Sequence, residues 1–127
     1  MNTQTPIFTQ HAEHLEWLNK LLFYTDDLMI MQNRLDEIAK KSKEPDVMKS
    51  VEHFQNQFKI QHEQIDILKH DINAHEHILF ENVEHNPTAS DHRKVPEHPE
   101  HRQKVERFEE LFASLRKEFM NFAAKCM

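Results

Sequence analysis

Residues 47–79 read VMKSVEHFQNQFKIQHEQIDILKHDINAHEHIL. Val47, Val51, Phe54, Phe58, Gln61, Ile65, Leu68, Ile72, His75 and Leu79 recur there at alternating steps of four and three. That spacing keeps one face of an α-helix turned toward a partner for its whole length. The same rhythm runs on both sides of this stretch. Upstream it picks out His14, Trp17, Leu21, Tyr24, Leu28, Met31, Leu35 and Ile38; downstream, His98, His101, Val105, Phe108, Phe112, Leu115, Phe119, Phe122 and Cys126. Three stripes of this kind predict an all-α fold, an antiparallel up-down-up bundle of three long helices in one domain.

The boundaries follow from the punctuation. The first helix spans about residues 6–41, opening near Thr5-Pro6 or Thr9 and closing on Lys40, Lys41 and Lys43, whose charges suit the negative end of a helix dipole. Pro45 and Asp46 restart a helix, because proline and an acid both fit a first turn. The connection is so short that the first two helices must be antiparallel neighbours. The second helix is expected over about 45–84 and is ended by Asn86-Pro87. Residues 85–96 form a polar loop, with room for a short extra helix, and the third helix covers about 97–126.

Composition narrows the function classes. A chain of 127 residues without a single glycine has no phosphate-cradling loop and no dinucleotide fingerprint, which need backbone lacking a Cβ. A net charge of −6 argues against nucleic acid or an anionic membrane as partner, since both demand concentrated positive charge. Protonating all 11 histidines would turn −6 into +5, so the sign of the charge follows pH. The lone Cys126 can form no internal disulfide, and residues 1–10 carry neither a basic segment nor an apolar run. No apolar stretch approaches the length of a membrane span. A cytoplasmic protein is the expectation.

Each helix is apolar beyond its main stripe: Leu15, Leu18, Leu22, Phe23, Met29 and Ile30 on the first, Ile60, Ile67, Ala74 and Ile78 on the second, Leu111, Ala113 and Met120 on the third. Three helices alone leave part of that surface wet, so the chain is expected to pair as a homodimer or with another helical protein. A non-enzymatic binding or interaction module is the leading functional reading.

The alternative reading is a metal-binding bundle. Counting outward from the short first turn places His14 and Asp71 at nearly one level and His75 near His11, while the third helix enters at the same end with His98 and His101. His11, His14, Asp71, His75, His98 and His101 are therefore candidate ligands. Imidazole and carboxylate suit a transition metal such as zinc, iron or nickel, and His11/His14 and His98/His101 are both H-x-x-H pairs that can chelate from one face. Asp71 is placed either as a ligand or as the acceptor that orients His75. The established bundle signatures are absent: the chain has no Glu-x-x-His, no His-x-x-x-His and no Cys-x-x-Cys.

The remaining candidates read as structure. His62, Asp66 and His70 form a solvated i,i+4 face, and a phosphotransfer histidine at His70 would lack the small neighbours a docking partner needs. The aromatic residues occupy core positions. Cys126 and the serines lack any apparent oxyanion donor, so nucleophilic catalysis has no support.

Overall fold

The computed structural model describes residues 7–85 and 97–126, with side chains described for 8–78 and 100–126. Three helices account for the described chain: α1 (Ile7–Lys41), α2 (Pro45–His85) and α3 (Glu97–Lys125). The second ends one residue later than its spacing predicts. The expected loop over 85–96 and any short helix in it lie, apart from the helical end residue His85, outside the described residues.

The α1–α2 turn is closed by local bonds. Ser42 N–H donates to the Ile38 carbonyl at 3.0 Å, and Lys43 Nζ reaches the Ala39 carbonyl at 3.0 Å, so two otherwise orphaned carbonyls of the α1 end are satisfied. Met48 N–H then donates to the Glu44 carbonyl at 2.9 Å, opening α2 behind Pro45. A turn this tight forces α1 and α2 side by side, and theirs is the most extensive of the three interfaces.

The three stripes meet as expected. Trp17, Leu21, Leu28, Met31, Leu35 and Ile38 from α1 pack on Val51, Phe54, Phe58, Ile65, Leu68 and Ile72 from α2 and on Val105, Phe108, Phe112, Leu115, Phe119 and Ala123 from α3, all buried. Each large apolar side chain removed from water in this way contributes about 1.5–3 kcal/mol. The aromatic residues interlock at the turn end. Phe119 meets Phe54 and Phe58 edge-on, with ring centroids 5.4 and 5.2 Å apart.

Polar contacts set the α1–α3 seam. Arg102 pairs with Glu13 at 2.8 Å, Tyr24 donates to Glu109 at 2.7 Å, and Arg116 pairs with Asp27 at 2.9 Å. Residue numbers rise together on the two helices, as parallel first and third helices require. Among the described residues no helix is long and apolar enough to cross a membrane.

Candidate functional site

At the end of the bundle opposite the α1–α2 turn, the stripes change from apolar to polar without leaving the core. Gln10 and His14 of α1 are fully buried, and His75 of α2 is 3% exposed. Each occupies the next step of its stripe, so the helix geometry that buries Trp17 and Ile72 also buries these residues. The His14 ring lies 5.5 Å from Trp17 and 4.9 Å from His75, centroid to centroid. His75 stacks in turn on His101 of α3, 4.8 Å away and only 8° from parallel. Three imidazoles from three helices thus form one continuous row.

A carboxylate closes the row on the α1 side. Glu76 Oε1 accepts from His14 Nδ1 at 2.5 Å, and Glu76 Oε2 pairs with His11 Nδ1. An ionised carboxylate has only acceptors, so both rings present Nδ1–H to it. In the neutral state of either ring, Nε2 is then the atom carrying a lone pair. His11 and His14 are one turn apart on the same face of α1, which lets one carboxylate hold both. The Glu13–Arg102 pair flanks the row and ties α1 to α3 at the same level.

Of the six expected ligands, the structure brings together His11, His14, His75 and His101. Asp71 stands apart: it lines a groove of 430 Å³ between α2 and α3, beside Lys104 and Arg107. Glu76 takes the place expected of Asp71. The α1–α2 register sets Glu76 opposite His11 and His14, nearly one and a half turns along α2 from Asp71. The backbone of His98 lies in the first turn of α3, and its side chain is outside the described residues. Among the described residues, no group of three or more His, Cys, Asp or Glu has the spacing to hold a metal ion.

Sequence reasoning missed Glu76 and Gln10. Both left a signal: Gln10 continues the α1 stripe four residues before His14, and Glu76 is as far from the α1–α2 turn as His11 is. The other histidine face behaves as expected. His62 sits 3.5 Å from Asp66 on the surface of α2, and His70 is exposed. Cys126 lies at the far end of the bundle, half-buried against the core, with no part in the cluster.

Comparison of the chain with protein-family models, with curated proteins and with solved structures finds no match.

Proposed function

We propose that this chain is a non-enzymatic interaction module, a helical bundle that binds another helical chain, in the first place a second copy of itself. One observation supports the reading above the others. Among the described residues, eleven large apolar side chains are exposed although the core beneath them is complete. Apolar residues scattered singly over a surface are ordinary, but six of the eleven share α1, and a concentration of that kind marks an interface. The net charge of −6 disfavours nucleic acid and anionic lipid as the occupant. A single cysteine suits a reducing compartment such as the cytoplasm.

Thermal unfolding followed over a hundredfold range of protein concentration tests the reading. Association of native chains makes the midpoint rise with concentration, whereas a monomeric bundle unfolds at one temperature throughout.

A second reading, a transition-metal site taking zinc, iron or nickel, draws on the paired rings at Glu76 and requires the clustered rings to shift on binding, since among the described residues no three such groups are spaced for a metal. Metal-ligating histidines characteristically donate their other ring N–H to a carboxylate, as His11 and His14 do here. Elemental mass spectrometry on protein purified without chelator decides it. Stoichiometric metal that disappears on replacing His14, His75 and His101 together supports a site, and metal-free protein after reconstitution removes it.

A further inference from the structure

We infer that the outward face of α1 is the surface on which a second copy of this chain docks, antiparallel, about a two-fold axis near Asn19. The inference rests on the interaction reading above and supplies what that reading lacks, a location and a geometry.

The three helices differ in what they turn away from the core. The outward side of α2 carries Lys49, Glu52, Glu63 and His70, all exposed, with Ile60 and Ile67 among them at 39% and 52%, and that of α3 carries Glu106, Glu110 and Lys117. The α3 side is charged, and on α2 two isoleucines are interrupted by charged neighbours. The outward side of α1 carries Phe8, Leu15, Leu22 and Met29, between 49% and 77% exposed, with Phe23 and Ile30 beside them at 64% and 65%. The residues interleaved with them are short: Ala12, Asn19, Asp26 and Asn33. No lysine, arginine or glutamate interrupts the main stripe. A helix apolar on both sides belongs between two layers, and one of the layers is missing in the single chain.

The spacing points to the occupant. Phe8, Leu15, Leu22 and Met29 follow one another at strict seven-residue steps, the repeat with which one helix packs along another in a left-handed supercoil. Reversing a second copy of the stripe on itself sets Phe8 against Met29 and Leu15 against Leu22, so each of these four side chains meets an apolar partner. Asn19 then lies at the axis, where a polar residue fixes register. A depression of 580 Å³ opens at the same place, with Ala12, Leu15 and Phe23 as apolar walls and Glu16, Lys20 and Glu109 as charged ones. It is positioned to receive a side chain of the facing helix.

Area and charge agree with self-pairing. At roughly 100 Å² for each of six exposed side chains, two copies would bury about 1,200 Å² together, the lower end of a stable protein interface. Asp26 is the single charge within the stripe, so bringing two such faces together sets few like charges against each other.

Sedimentation equilibrium of the full chain tests the inference, with Leu15→Glu/Leu22→Glu and Ile60→Glu/Ile67→Glu variants alongside. The parent should be dimeric. The α1 variant should raise the dissociation constant at least a hundredfold while keeping the parent's helical circular dichroism, because both positions are outside the core. The α2 variant should dimerise as the parent does. A dimer broken by the α2 variant and not by the α1 variant overturns this location and leaves the interaction reading standing. A parent that stays monomeric at every concentration overturns self-association altogether.

Cross-linking gives an independent readout of orientation. In a Cys126→Ser background, Asn19→Cys should form a covalent dimer with a short bismaleimide. Phe8→Cys should not, since antiparallel packing separates the two copies of that position by roughly 30 Å. Efficient cross-linking at position 8, or none at position 19, contradicts the two-fold arrangement.

Discussion

The Glu76 carboxylate holds the fully buried ring of His14, Nδ1 to Oε1 at 2.5 Å, across the α1–α2 interface, and takes His11 on its other oxygen. Replacing Glu76 by Gln leaves one acceptor oxygen where two rings need partners. Expected is a loss of about 1–3 kcal/mol, the cost of leaving a buried donor unmet. Asp71→Asn should change stability by about 0.5 kcal/mol or less, as surface substitutions do. Urea unfolding followed by Trp17 fluorescence measures both, since Trp17 is the sole tryptophan and lies against His14. Equal losses in the two variants would contradict the assignment of Glu76.

Gln61 interrupts the α2 stripe between Phe58 and Ile65, 7% exposed, and its Oε1 is buried with no hydrogen-bond partner among the described residues. Gln61→Met keeps the volume and removes the desolvated acceptor, so it should stabilise the bundle by about 1 kcal/mol. A destabilised variant would show that the amide has a polar role at an interface.

The phenol of Tyr24 is pushed up to about 12 from 10.0, first by burial, then by the Glu109 carboxylate that accepts its hydrogen bond, then by the charge of Asp27. The folded state therefore favours the protonated phenol. Its contribution to stability is complete below pH 10 and is lost as pH rises through about 12. Tyr24 is the only tyrosine, so phenolate absorbance reads this group alone. The midpoint should move toward 10 in Glu109→Gln, and a parent titrating near 10 while folded would contradict the contact.

Much of the fold was legible in the periodicity. A four-three rhythm kept over eight or more positions leaves a helix only one face to bury, and the short link at 42–44 leaves α1 and α2 only one relative direction. The cluster was legible in part, because His14 and His75 occupy stripe positions and obey the same geometry as leucine would. Glu76 was legible only as a level along α2, for a physical reason. One residue along a helix is 1.5 Å of rise but 100° of rotation, so an estimate of level good to a turn cannot choose among neighbours. Counting selected Asp71, whereas the packed register turns Asp71 into the α2–α3 groove and Glu76 toward α1. The apolar flanks were legible as residues and not as a surface. Which of them line a groove and which face outward depends on where the third helix sits.

Sedimentation velocity of the unmodified chain across a concentration series tests the central claim most directly. Self-association through α1 predicts a species of twice the 15.3 kDa chain mass that gains weight as concentration rises and is lost in Leu15→Glu/Leu22→Glu. A single boundary at 15.3 kDa over the whole series would contradict it.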